Sequence, residues 1–457
     1  MKQSLLLLLL LGSGALCGVL SCAPTTFAQN STVNKSVASN EAASKLFAES
    51  RPVYRAEEFV ESIGLNAAPF ERPGHGNSLA PKLYLDLGVR YNRCVLFNDN
   101  TSPETPQLIA KAWREHGVRA MPFIDATKTK TAEDVMQKLR EYDPRSVAEL
   151  EGPNELNNKF GQDLNLKFGG KTDEAAGALL MDGVYKAVKA DPVWKSLPIV
   201  AYTAIFSDYS LAKPHNGFDY GNMHSYQGYN VPSSSRLMNI TRFNNIYPAG
   251  ATIKPVVPTE CGYNVEADET NHTFKVGSRR AQALNIPMLL AEYFNHGIKR
   301  TYLFALHNAD GYGLLEGKDN TKRPSYFALK NFIAQLQDAR WNTKTQQWDG
   351  GRNFTPRALM FSMPGAPDTI HSLTLQKQSG EYSLLLWNEV KNFDEDAKKD
   401  IFNAPVPVTL KLQTPVNSNV TILTQNDKGE YDTSTATVQG GELRVNVPSS
   451  VMIVRLT

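Results

Sequence analysis

From residue 58 to residue 335 the sequence alternates short apolar runs with longer amphipathic segments. A strand covered on both faces reads as a solid apolar run, and the helix that covers it carries one apolar stripe. The runs are Val60–Asn66, Gly88–Phe97, Val118–Ile124, Val147–Leu150, Pro198–Phe206, Phe218–His224, Pro255–Glu260 and Lys299–His307. Helical segments separate most of them: Leu79–Leu87, Gln107–His116 closed by Gly117, Thr131–Tyr142, and Thr172–Ala190 behind a Thr172-Asp173 cap. Ser278–Asn295, closed by Gly297, and Pro324–Leu336, with proline in its first turn, complete the set. Eight strand–helix units in roughly 285 residues predict an α/β fold, a (β/α)8 TIM barrel over residues 51–340. A doubly wound open sheet is the rival, but it needs a glycine-rich phosphate turn after its first strand, and Gly74-His75-Gly76 does not stand there.

After Trp341 the pattern changes to strand-like runs parted by turns. Thr369–Leu375, Tyr382–Trp387, Val406–Leu412, Val420–Thr424, Thr435–Val438, Glu442–Val447 and Val451–Leu456 are the candidates, with hairpin turns at Asn426–Gly429 and Gly440-Gly441. They predict a C-terminal all-β sandwich over residues 341–457.

The amino terminus has a different task. Met1-Lys2-Gln3 and the apolar run Ser4–Leu11 read as a secretory signal too short to span a bilayer. Val19-Leu20-Ser21-Cys22 resembles a lipobox, which makes residues 1–22 a lipoprotein-type leader and Cys22 a lipidated membrane attachment; cleavage after Ala28 is the rival. Residues 23–50, rich in Ser, Thr, Asn and Ala, read as a linker. The expected location is the periplasm or the outer cell surface, or otherwise secretion. Cys94 and Cys261 remain for the folded part, and both read as buried thiols rather than a disulfide framework. A formal charge of +2 offers no basic stripe for nucleic acid and suggests a weakly charged substrate. No cofactor is expected, no His/Asp/Glu spacing suggests a catalytic metal, and a monomer is the simplest assembly.

The chemistry concentrates at two strand ends. Leu150-Glu151-Gly152-Pro153-Asn154-Glu155 ends one apolar run with an amide beside a carboxylate, and Val256-Val257-Pro258-Thr259-Glu260 ends another on a glutamate. In a barrel both ends open on the catalytic face, across the mouth from each other. Paired carboxylates suit glycoside hydrolysis, one protonating the leaving oxygen while the other stabilises or attacks the anomeric carbon.

Asn154-Glu155 after strand four, Glu260 at strand seven, Gly88-Val89-Arg90-Tyr91-Asn92-Arg93 at strand two and His224-Ser225-Tyr226 at strand six together resemble clan A glycoside hydrolases. The C-terminal sandwich and Ser62-Ile63-Gly64-Leu65-Asn66 suggest family 39 or a near neighbour. The resemblance implies Glu155 as acid/base, Glu260 as nucleophile and Arg93 as the cation that keeps Glu260 charged. It implies that Asn154 binds a sugar hydroxyl and that His224 and Tyr226 touch nucleophile and sugar. Where the clan carries a tryptophan at strand eight, this chain has Leu303-Phe304-Ala305-Leu306-His307-Asn308, so Tyr226, Tyr263, Phe304, His307 and Tyr312 are the candidates to line the sugar site in its place. The expected function is retaining hydrolysis of an oligo- or polysaccharide. A surface glycan-binding lipoprotein on a degenerate barrel, and a barrel hydrolase or lyase acting on another substrate, are the alternatives.

Overall fold

A computed structural model describes residues 51–67, 80–96, 105–126, 131–156, 166–203, 216–234, 254–265, 276–307, 311–317 and 319–457. The leader, Cys22 and the linker lie outside the described residues.

Eight parallel strands form one sheet: β1 (Ile63–Asn66), β2 (Tyr91–Val95), β3 (Arg119–Phe123), β4 (Leu150–Glu151), β5 (Ile199–Val200), β6 (Gly221–Ser225), β7 (Val256–Cys261) and β8 (Thr301–Leu303). Their order is β5-β4-β3-β2-β1-β8-β7-β6, and a parallel bridge from Val200 to Tyr220 joins the two ends into a barrel. The fold is therefore the predicted (β/α)8 barrel followed by an antiparallel β region. Several strands are shorter than their apolar runs. Val60 belongs to the helix Ala56–Glu61, where it is buried, and Ser62 closes that helix by donating to the Phe59 carbonyl. β8 stops at Leu303 although the apolar run continues to His307, and β5 ends at Val200, with 201–203 outside it. Burial without a ladder partner extends an apolar run beyond its strand.

The barrel interior is filled near its amino-terminal end by Tyr91, Met121, Ala148, Val200, Val257 and Tyr302. Gly64 leaves room for the Tyr302 ring, since a Cβ there would lie 2.4 Å from it. The Arg300 guanidinium pairs with buried Glu149 and stacks 3.5 Å from the Tyr91 ring centroid, while Tyr302 donates to the same carboxylate at 3.1 Å.

In the C-terminal region a six-stranded sheet faces a three-stranded one. The larger runs Val53–Arg55, Ile370–Gln376, Tyr382–Asn388, Met452–Leu456, Asn419–Gln425, Tyr431–Thr437; the smaller runs Phe361–Ser362, Val406–Leu412, Glu442–Val447. Val53–Arg55 lies inside the stretch read as barrel, yet it pairs in parallel with Thr374–Gln376. Gly440 and Gly441 both take positive φ (57° and 80°), as a tight hairpin turn requires. Every residue of Tyr382–Asn388 is buried because the strand is covered twice. Leu384 and Leu386 pack into the space between the sheets, whereas Leu385 and Trp387 face the barrel together with Leu373, Leu375 and Ile453. Asn295 to the Ser372 carbonyl (3.0 Å) and Gln425 to the Ala283 carbonyl (2.7 Å) fasten this seam.

Breaking a buried ion pair by removing one member leaves a charge without a partner, at about 3–5 kcal/mol. Arg300→Met is expected to cost that much in urea unfolding, and adding Glu149→Leu should return most of it. Equal losses in the single and double variants would contradict the charge explanation.

Candidate active site

Arg93 enters from β2 and uses all five of its N–H donors. Its Nε and one terminal nitrogen grip Glu151 at 2.5 and 2.9 Å; that terminal nitrogen also donates to Asn154 Oδ1 at 2.6 Å. The other terminal nitrogen donates to Glu260 Oε1 at 2.6 Å and to Asn66 Oδ1 at 3.0 Å. The guanidinium lies over the Phe123 ring of β3, 4.5 Å from its centroid. A bidentate carboxylate fixes the plane of the fork, which then aims the remaining donors. The charges of Glu151 and Glu260 outweigh burial and push the Arg93 pKa still higher, so it stays cationic.

Glu260 reaches the site through a register shift. β7 pairs with β6 as Pro258 with Met223 and then Glu260 with His224, so Thr259 is an extra residue. A bulge of this kind re-aims side chains, and here both Thr259 and Glu260 face the same cluster. The Thr259 hydroxyl lies 2.8 Å from Glu151 Oε1 and 2.8 Å from Asn222 Oδ1. From β6, Asn222, His224 and Tyr226 project inward at alternate positions, while Ser225 points outward to the Tyr293 hydroxyl at 2.7 Å. Tyr226 donates to Glu260 Oε2 at 2.8 Å. Burial and then the Glu260 charge push the Tyr226 pKa well up, so it remains a donor.

Glu155 has a positive φ of 44°, which a residue other than glycine seldom adopts, and its N–H donates to Thr203 Oγ1 at 2.9 Å. Gly152 permits the turn, for a Cβ there would meet the Tyr202 backbone nitrogen at 2.6 Å. His224 links the two carboxylates: Nδ1 lies 2.7 Å from Glu155 Oε1 and 3.3 Å from Glu260 Oε2, and Nε2 lies 3.1 Å from Thr259 Oγ1. Asn222 commits its NH2 to Glu151 and the Ala201 carbonyl, so its oxygen is an acceptor, as is Glu151. Thr259 therefore spends its one proton on an acceptor and receives from His224, which puts a hydrogen on Nε2. Nδ1 is left to exchange a proton with Glu155. Burial alone would lower the His224 pKa, but the Glu260 charge and the bond to Glu155 outweigh it and raise it above 6.5. An atom of Glu155, of His224 and of Glu260 all lie within 4.8 Å of one another. That spacing would admit a cation, but the Arg93 guanidinium on Glu260 opposes a second positive charge.

The structure thus brings Arg93, Asn154, Glu155, His224, Tyr226 and Glu260 into one network. Phe304 joins its edge, with ring centroids 6.4 Å from Tyr226 and 6.0 Å from Tyr312, while Tyr226 and Tyr312 stand 5.0 Å apart. His307 is not in the network; it bonds Asn320 at 3.1 Å, and burial holds its pKa low. Tyr263 turns away to pack on Tyr229. Glu151, Asn66, Asn222, Thr203 and Thr259 belong to the site although the sequence reading passed over them. Asn222 alone had a visible signal, standing two residues before His224 on the same face. Cys94 and Cys261 are buried free thiols, and burial pushes Cys94 up to about 12.

Because the His224 pKa is raised on folding, its contribution to stability is complete below pH 6.5 and fades as pH rises through the folded midpoint. Glu260→Gln removes the largest charge that raises it. The imidazole midpoint followed by NMR is expected to fall in that variant, and an unchanged midpoint would locate the source elsewhere.

No family model and no curated protein matches the sequence. Solved structures do match the fold. The family 51 α-L-arabinofuranosidase of Thermotoga petrophila aligns at TM-score 0.56 and 13% identity, over 89% of this chain and 98% of its own. A glycoside hydrolase family 39 enzyme of Xanthomonas axonopodis aligns at 0.52 and 12%, over 87% and 94%. A family 30 endoxylanase of Clostridium papyrosolvens aligns at 0.53 and 11%, over 89% and 97%. At such identities the likeness is one of architecture, and at that level the resemblance to clan A glycoside hydrolases holds: the chain has their barrel and their appended β domain.

Proposed function

We propose that the protein is a retaining glycoside hydrolase acting on an oligo- or polysaccharide, with Glu260 as nucleophile and Glu155 as acid/base. The observation that carries this reading is the pair of carboxylates with atoms within 4.8 Å, one held by an arginine and the other by a histidine. Retaining enzymes keep their carboxyl groups about 5 Å apart, whereas inverting ones need about 6.5–9.5 Å to admit a water. The barrel shared with arabinofuranosidases and xylanases supports the same chemistry.

The roles follow from the contacts. Arg93 and Tyr226 place donors on both oxygens of Glu260 and hold it aimed at the anomeric carbon. Glu155, in proton exchange with His224, protonates the leaving oxygen and later takes a proton from water. Asn154 keeps its oxygen on Arg93, so its NH2 is the donor for the hydroxyl beside the anomeric centre, a contact that strengthens as charge develops. Tyr226, Phe304 and Tyr312 form an apolar wall against which a sugar face can rest. The leader supports export, with lipidated Cys22 as an attachment to the cell envelope.

A panel of chromogenic glycosides and polysaccharides tests this. Glu260→Ala should abolish turnover, with azide restoring a product of inverted configuration. Glu155→Ala should lose about two to four powers of ten on unactivated substrates and much less on activated aryl glycosides, with azide giving retained configuration. Near-parental activity in Glu260→Ala would overturn the assignment and favour a glycan-binding role.

A further inference from the structure

A second cluster of titratable groups lies at the seam between barrel and sandwich. Glu292 comes from the helix Arg279–Asn295, His371 from the strand Ile370–Gln376, and Glu389 from just beyond Tyr382–Asn388. His371 Nδ1 stands 2.9 Å from Glu292 Oε2 and 3.9 Å from Glu389 Oε2, and one donor atom of each residue lies within 4.8 Å of the others. We propose that Glu292, His371 and Glu389 form a site for a zinc-class divalent cation that ties the sandwich to the barrel.

Charge is the first argument. Buried Glu57, Glu149, Glu151 and Glu260 each face an arginine: Arg90, Arg300 and, for the last two, Arg93. Among the described residues, buried Glu292 and Glu389 face none, and their ionic partners there are the imidazoles of His371 and His296. Two carboxylates taken out of water without a permanent cation are costly unless a proton or a metal ion joins them. The Glu155–His224–Glu260 group differs on this point, since Arg93 already sits on it.

Spacing is the second. A tetrahedral ion at about 2.0–2.2 Å from its ligands holds them about 3.3–3.6 Å apart, a value that the observed 2.9 and 3.9 Å bracket. The ligands are also oriented from behind, as metal ligands are. Ser233 donates its N–H to Glu389 Oε1 at 2.9 Å and its hydroxyl to Oε2, and His371 bonds the Asp368 backbone. The side chains of His371 and His296 are 27% and 42% exposed, which leaves a path for the ion and a position for water. One imidazole nitrogen with two carboxylate oxygens favours zinc over calcium or magnesium, which prefer oxygen alone.

The full chain, stripped with chelator and titrated with Zn2+, Ca2+ or Mg2+, tests the proposal without reference to activity. One Zn2+ per chain and a rise of several degrees in the melting midpoint are expected, with little effect of Ca2+ or Mg2+. Glu389→Gln, which keeps the side chain's shape, and His371→Ala should each weaken Zn2+ binding by more than the roughly 10–100-fold typical of losing a supporting contact. Glu260→Gln should leave it unchanged. Retention of zinc affinity in both seam variants, or its loss in Glu260→Gln, would overturn the proposal. So would a chain with no zinc-dependent midpoint whose stability instead falls as His371 loses its proton.

Discussion

Five N–H donors on one guanidinium hold this site together. Arg93 spends two on Glu151, and that grip fixes the plane in which the others reach Asn154, Glu260 and Asn66. Lysine would carry the same charge but only three donors on a flexible stem, so it could not set these four partners at once. β1, β2, β4 and β7 thus converge on one side chain, and the barrel geometry becomes the geometry of the two carboxylates. Glu151 has no place in the chemistry proposed, yet without its charge the Arg93 fork would lose the contact that orients it.

The two carboxylates are kept different by their neighbours. Glu260 receives the Arg93 cation and the Tyr226 hydroxyl, whereas Glu155 faces the imidazole of His224. The same His224 stands between both carboxylates and is held from behind by Thr259, which in turn reaches Glu151. The sandwich takes part at a distance. Glu395, in its hairpin Phe393–Asp400, accepts from the Tyr229 N–H at 2.8 Å, and Phe393 packs on the Tyr229 ring. Tyr229 then donates to the Asn264 carbonyl at 2.6 Å, bracing the segment that follows Tyr226 against the one that follows Glu260.

The repeating strand–helix rhythm was legible because parallel strands buried on both faces leave long apolar runs, and Glu155 and Glu260 stood out as charges at the ends of two of them. What escaped reading depends on contacts without local pattern. Val53–Arg55 joins a strand some 320 residues later, and no periodicity announces such a partner. The bulge at Thr259 adds one residue inside an apolar run, so nothing distinguishes it from an ordinary alternation that would turn Thr259 away. Glu151 reads as one more strand residue until the Arg93 fork is set beside it. His307 stands apart from the Arg93 network for the converse reason: its run stays apolar past Leu303, but β8 has already ended and the histidine bonds Asn320.

Whether Glu260 forms a bond to sugar is the question on which the proposed mechanism turns. An activated fluoroglycoside that glycosylates quickly and hydrolyses slowly should leave one glycosyl group on the protein, found by mass spectrometry on the peptide that contains Glu260 and absent when Glu260 is alanine. Turnover of that substrate with no covalent adduct, and with inverted configuration in the first product, would contradict the double displacement that this arrangement of Arg93, His224 and the two glutamates supports.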